Sequence, residues 1–284
     1  MKTLLSLHVL AGSFWLCWCT DPGAAQQFYD RTEYRKAIGA LQPERSRDVA
    51  VLALAAKSYY MLGDFKKASE LLERAIVQEP KRSGLHHWLG KSYGRRAETS
   101  IFITAGRWAS KCRQAFEKAV ELDPENVEAM SDLMEYYIEA PGFLGGGMDK
   151  ASAMAARIGK LDPVEMHYAQ ARLAEERKDF MTAEKHLRAA ADLAPRQMGR
   201  ILDLAKFLAR QGRVQESDAV FQRAARITPE DPKLLFAMAQ AYVQNRRNLA
   251  EARQLLERFL AAPLTPDDPP RADAERLLRQ ARGS

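Results

Sequence analysis

Cysteine is scarce in this 284-residue chain: there are three, and Cys17 and Cys19 both lie in an N-terminal apolar stretch. That leaves Cys112 alone in the body, so no intramolecular disulfide can form there and packing must hold the fold. Cys112 reads as a small core residue rather than a reactive thiol. Aromatic residues are only 8% of the chain and β-branched runs are few, while Ala and Leu are abundant. This disfavours sheets and favours helices. No long block of one charge sign occurs: 37 acidic residues are interspersed with 43 basic ones, for a net charge of +6 and a pI near 9.2. A basic balance suits nucleic acid, an anionic surface or nothing specific, and interspersion points to a solvated helical surface. Metal-site spacing is absent: His86 and His87 are adjacent and diverge on a helix, and His167 and His186 stand far from them. The glycine-rich run Pro141–Gly147 is not followed by Lys-Ser or Lys-Thr, and Gly84 with Gly90-Lys91-Ser92 has one residue too many for a phosphate-binding loop. The carboxylate pairs Glu175-Glu176 and Glu70/Glu73 read as solvated helix faces. No catalytic residue, cofactor or metal ligand is expected.

What is present begins with an address. Lys2 precedes an apolar stretch, Leu4 to Cys19, then a break at Asp21-Pro22 and small residues Gly23-Ala24-Ala25. This is the three-part pattern of a secretory signal over residues 1–25. The stretch is shorter than the ~20 residues of a spanning helix. Export to a periplasm or the secreted space is expected, with an N-terminal membrane anchor as the alternative and no integral membrane domain after cleavage.

The body is organised around Tyr59–Pro80. A helix ends at Gly63-Asp64, a second carries small residues at fixed places, and Pro80 stops it. Prolines recur at Pro124, Pro163, Pro195, Pro229 and Pro263, with the last two intervals equal at 34 residues. The unit at 49–82 carries Leu52, Ala56, Tyr59, Gly63, Ala68, Leu72, Ala75 and Pro80. Ala56 and Ala68 are small where two helices must approach, and Tyr59 is expected to fill the space to the next pair. Further units follow at 83–126 (Leu89, Gly90, Tyr93, Phe116, Ala119), 127–163 (Leu133, Tyr137, Ala151, Ala155), 164–195 (Ala171, Phe180, Ala183, Leu187), 196–229 (Leu204, Ala205, Gly212, Phe221) and 230–263 (Ala239, Tyr242, Ala252, Leu256). This pattern resembles the tetratricopeptide repeat family. The resemblance implies an all-α fold: an α-solenoid, a right-handed superhelix of about six such helix–turn–helix repeats. Residues 26–48 read as a degenerate half-repeat, and 264–284 as a C-terminal capping helix.

The second and third units are too long. The excess falls within Arg96–Lys111 and in Pro141–Gly147, both on the turn between first and second helices, so the two insertions should lie side by side on one edge. The Gly-x-Ser-x-Gly string at Gly90–Gly94 lies inside a first helix, not in the strand–turn–helix that a nucleophile elbow needs.

In the family the first helices line a concave groove, and the residues just off the packing positions reach into it. Carried over, these are His87, Lys91 and Arg95, then Glu128, Glu135 and Glu139, then Tyr168 and Arg172, then Lys206 and Arg210. Phe143 and Leu144 in the second insertion are either tucked in or an exposed anchor, and Ile101, Phe102, Ile103 and Trp108 raise the same question. The groove charges either await a peptide of complementary charge or pair with one another across neighbouring helices. The function so implied is a non-enzymatic scaffold or adaptor of the envelope or secreted space, binding a protein or peptide partner. The alternative is a basic surface protein binding an anionic polymer, a nucleic acid or an envelope glycan; no specific nucleic acid is expected.

Overall fold

Helix starts in this chain are set by short polar side chains. Asp48, Asp64, Asn126, Asp162, Asp179 and Asp231 each accept from backbone N–H groups of the turn that follows. At Asp162 and Asp231 a proline occupies the first helical turn, where its missing N–H costs nothing. Pro163 therefore begins a helix rather than closing the one before it. The computed structural model describes residues 21–283, and the described residues form fifteen α-helices and one 3-10 turn. They are α1 (Pro22–Asp30), α2 (Tyr34–Leu41), α3 (Val49–Met61), α4 (Phe65–Gln78), α5 (Ser83–Thr99), α6 (Phe102–Leu122), α7 (Val127–Glu139), α8 (Met148–Ile158), α9 (Pro163–Glu176), α10 (Phe180–Leu193), α11 (Met198–Arg210), α12 (Val214–Ile227), α13 (Pro232–Gln244), α14 (Leu249–Ala261) and α15 (Arg271–Gly283). None is long and apolar enough to cross a membrane.

The helices pack as consecutive antiparallel pairs stacked into an α-solenoid, the expected all-α fold. Within each pair the close approach is made by small residues: Ala56 with Ala68, Ala171 with Ala183, and Ala239 with Ala252 are all fully buried. Ser217 takes the same place against Ala205, and its hydroxyl donates to the Ala205 carbonyl at 2.8 Å. Leu52 and Leu72 are also fully buried, each worth roughly 1.5–3 kcal/mol. Tyr59 is only half-buried, its ring under Lys67 and its hydroxyl near Glu44, so it does less filling than its repeat position suggested. The equivalent Tyr93 and Tyr242 are buried.

Five of the pairs turn in the same way. Thr32, Gly63, Lys178, Gly212 and Arg246 adopt left-handed backbone, with φ between 50° and 80°. At Lys178 the N–H donates to the Glu175 carbonyl and the next N–H, Asp179, to Ala174; Gly212-Arg213 and Arg246-Arg247 repeat this pattern. These paired bonds satisfy the last carbonyls of the first helix.

Two segments differ from the sequence reading. Residues 26–48 hold most of α1 and all of α2, so the solenoid opens with a helix pair where half of one was expected. Pro22–Ala25, assigned to the leader, form the first turn of α1, capped by Asp21, with Ala25 fully buried. Cys17, Cys19 and the apolar stretch before Thr20 lie outside the described residues. The long second unit is not a loop insertion either: the extra residues lengthen α5 and α6 to 17 and 21 residues, joined across Ser100-Ile101.

The first and last described segments come together. One cleft of about 760 Å³ is lined by Tyr34, Met61 and Phe65 from the first pairs and by Leu264, Pro270 and Asp273 from the last segment. Burial, helped by the Asp268 and Asp267 carboxylates, pushes the Tyr34 hydroxyl up to about 12.

Candidate functional site

The first helices of successive pairs, α5, α7, α9 and α11, present a run of charged side chains along one face. Their register is fixed by the cores beneath them. Arg172 on α9 makes a two-pronged bond to Glu135 on α7, Nε to Oε1 at 2.8 Å and Nη2 to Oε2 at 2.9 Å. The same guanidinium reaches Glu175 at 3.2 Å, and Glu175 in turn takes Arg210 of α11 at 2.9 Å. Four charges thus form one ladder across three helices. Hydrogen bonding to Glu135 raises the Arg172 pKa, so the guanidinium stays charged. Beside the ladder, Arg200 pairs with Glu165 and Asp203 and lies 4.1 Å over the Tyr168 ring, and burial raises the Tyr168 pKa.

Upstream, Lys91 of α5 donates to Glu128 of α7 at 3.1 Å. Burial opposes its charge, but the Asp132 and Glu128 carboxylates outweigh that and hold its pKa up. Arg95 bonds Glu98 on its own helix. Of the two alternatives for the groove charges, cross-helix pairing thus accounts for Lys91, Glu128, Glu135, Arg172 and Arg210. Glu139 and Lys206 make no hydrogen bond or ion pair among the described residues. Burial and the neighbouring Glu135 push the Glu139 carboxyl up.

Two clefts open along this face. One, of about 450 Å³, is lined by Glu135, Glu139, Tyr168, Arg172, Lys206 and Arg210. The other, of about 330 Å³, has a floor of Gly94, Ala97, Ala109, Cys112, Phe116 and Leu144, with Lys91, Arg95, Glu135 and Glu139 at its rim. The shared Glu135 and Glu139 make the two continuous. Tyr60 and Arg95 join the second to the cleft between the first and last described segments. Burial pushes the Cys112 thiol up to about 12, so it is a protonated, apolar part of the floor.

Nine of the twelve residues singled out from the sequence therefore line the groove, and three do not. Glu128 is held beside it by Lys91. His87 is a correction: it is 4% exposed, packs on Phe116 and sets Nε2 2.7 Å from Asp132 Oδ2, so it supports the groove from below. Phe143 lines neither cleft and is exposed, whereas its neighbour Leu144 tucks in. Leu144 apart, the floor residues were not foreseen. Gly94 and Ala97 are three apart on α5, a small-residue signal that was visible, but Ala109 carries none.

His87, Glu128 and Asp132 bring potential metal-ligand atoms within 4.8 Å of one another, a grouping hidden by their separation in sequence. The Lys91 ammonium bonds Glu128 of this group at 3.1 Å and opposes a second cation there. His167 and His186, dismissed for their spacing, also meet, with Nδ1 atoms 2.9 Å apart across α9 and α10.

Comparison with known proteins bears on the fold. Residues 168–232, from α9 to the start of α13, match the family model of the tetratricopeptide repeat. No curated protein is significantly similar to the chain. Among solved structures, a tetratricopeptide repeat protein from Parabacteroides merdae superposes with a TM-score of 0.58 at 13% identity, over 91% of this chain and 96% of that one. A thermophilic TPR protein in Thermus thermophilus gives 0.54 at 19% identity, over 65% and 95%. Human IFIT1, as a dimer with PPP-AAAA, gives 0.55 at 22% identity, over 84% of this chain and 53% of that one. At these identities the likeness is one of fold, and the fold is that of tetratricopeptide repeat solenoids.

Proposed function

We propose that this solenoid is a non-catalytic scaffold that holds an extended segment of a protein partner in the groove along α5, α7, α9 and α11. A fold of this type suits protein–protein interaction. The observation that carries the reading is the continuity of the two clefts through Glu135 and Glu139. An apolar-floored hollow adjoins a ladder of fixed charges, so an apolar or aromatic partner side chain seats in the first while the partner's polar groups meet the second. Because Arg172, Glu175 and Arg210 are already held by one another, little ordering entropy is lost on binding. Glu139 and Lys206, which make no hydrogen bond or ion pair among the described residues, are the groups left to meet opposite charges on the ligand.

Selection of displayed peptides on the full chain tests this. Selected peptides should lose about tenfold in affinity or more, ~1.4 kcal/mol, when Ala97→Trp fills the hollow or Lys206→Glu reverses the charge. Peptides indifferent to both changes would refute the groove. Binding that collapses steeply with salt whatever the sequence would favour an anionic polymer instead.

Export is part of the proposal and rests on Lys2 and the apolar stretch to Cys19. N-terminal sequencing of protein recovered from an envelope fraction tests it. An intact Met1 on soluble intracellular protein would overturn it. Retained Met1 on membranes would favour the anchored alternative.

A further inference from the structure

The α5–α6 hairpin ends in a knob that no other described residue covers. Ile101, Phe102 and Ile103 are 70%, 94% and 86% exposed, and Phe143, on the neighbouring loop, is 86% exposed. These residues share one place. Leu144 Cδ2 lies 3.7 Å from where a Cβ on Gly106 would stand, so the loop rests on α6 one turn from Phe102. The hairpin also projects. α5 and α6 exceed α3 and α4 by four and seven residues, or ~6 and ~10 Å at 1.5 Å per residue.

Behind the knob sits a collar of cations around one indole. The Arg96 guanidinium lies 3.4 Å over the Trp108 ring, with Arg107 at 5.5 Å and Lys111 at 5.3 Å. Trp108 follows Phe102 by six residues, ~9 Å along the helix. We propose that this knob docks on an anionic lipid surface, with Phe102, Ile103 and Phe143 entering the boundary of the acyl region and Trp108, Arg96, Arg107 and Lys111 lying among the headgroups.

Shape and charge both select that occupant. The patch is convex, and a fluid bilayer accepts a convex apolar tip where a folded protein would need a matching pocket. Apolar side chains leading, with an indole and cations one to two turns behind, match the depth profile of a membrane interface. Anionic headgroups complement Arg96 and Arg107, which make no ion pair among the described residues, while Lys111 is shared with Glu73 at 3.8 Å. The backbone limits the depth. Thr104 and Ala105 are the first α6 amides to find a carbonyl, both on Ile101, and Ile101 supplies no side-chain cap. The N–H groups of Phe102 and Ile103 therefore need water or phosphate oxygens, which places the tip at the interface and not across it.

Those amides provide the readout. Hydrogen exchange of the full chain is followed with and without vesicles of phosphatidylcholine and phosphatidylglycerol mixed about two to one. Exchange at Ile101–Thr104 and Phe143 should slow severalfold with these vesicles and much less with pure phosphatidylcholine. A Phe102→Ser, Ile103→Ser, Phe143→Ser variant should lose the slowing while its melting curve stays that of the parent. Because the readout is local, attachment through the N-terminal apolar stretch does not mimic it. Unchanged exchange in the anionic vesicles, slowing that survives the triple substitution, or slowing that appears without lipid as protein concentration rises would each overturn the proposal, the last in favour of self-association.

Discussion

Substituting Gly90 by alanine puts the packing of α5 against α6 to a direct test. A Cβ at Gly90 would stand 2.4, 2.5 and 2.9 Å from three ring atoms of Phe116. Ordinary carbon contacts are about 3.5–4.0 Å, so the ring would have to retreat by more than ~1 Å. Phe116 is buried and lies against His87, which is itself fastened to Asp132, so the ring has little room to move. Overpacking of this kind costs roughly 1–3 kcal/mol. Alanine returns up to ~1 kcal/mol of helix propensity, leaving a net loss of about 0–2 kcal/mol. Gly84 lies on the same helix with nothing within 4 Å of its Cβ position, so Gly84→Ala should stabilise by up to ~1 kcal/mol. The gap between the two substitutions, roughly 1–3 kcal/mol, isolates the steric effect. Phe116→Leu should narrow it, giving a coupling energy of about 0.5–3 kcal/mol in the double-mutant cycle. Urea titration followed by far-ultraviolet circular dichroism measures the parent and all four variants. A solenoid unfolds in blocks, so amide exchange within α5 and α6 should accompany the titration. If Gly90→Ala stabilises as much as Gly84→Ala, the close approach of the two helices is refuted.

Three further outcomes can be checked on the same protein. Lys178 holds a left-handed backbone without a glycine's freedom, so Lys178→Gly should raise stability by about 0.5–1 kcal/mol in denaturant titration, and a loss would show the turn to be otherwise shaped. Cys112, its thiol pushed up to about 12 by burial, should resist alkylation at pH 8 in the native protein and react once it is unfolded, as counted by mass spectrometry. Burial and the facing His167 lower the His186 pKa, so the fold favours the neutral ring. The resulting stability is complete above about pH 6.5 and is lost as pH falls through the lower folded value. Denaturant midpoints should therefore drop more between pH 7.5 and 5 in the parent than in His186→Gln, and equal drops would sink the assignment.

The fold was largely legible because small residues cannot be replaced where helices touch. Ala56, Ala68, Ala171, Ala183, Ala239 and Ala252 recur at a period that helix spacing dictates. The turns were legible only at Gly63 and Gly212. Lys178 and Arg246 make the same turn with residues that give no local signal, because the flanking helices over-determine the backbone there. The long second unit was read as an insertion because length alone does not tell loop from helix, and no breaker marks the true boundary at Ser100-Ile101. The run 141–147 was read as excess length on the turn between first and second helices. Gly146 is in fact required, since a Cβ there would lie 1.7 Å from the Ala140 carbonyl oxygen. In the groove, spacing by four placed Lys91 and Arg95 correctly but also selected His87, whose side chain is drawn inward by Asp132. Contacts that depend on two distant residues, such as His87 with Asp132 or His167 with His186, leave no trace in either local stretch.

The approach of Tyr34 and Phe65 to Leu264 and Pro270 has a consequence for how such a chain can vary. An open solenoid tolerates the gain or loss of a unit, because each unit answers only to its neighbours. Here the first and last segments are also neighbours, through walls of the same cleft. Removing one helix pair would do more than shorten the groove by a step: it would carry one wall of that cleft out of register with the other. The number of units therefore sets the width of that cleft as well as the length of the groove. A duplication that other repeat arrays absorb would here part its two walls.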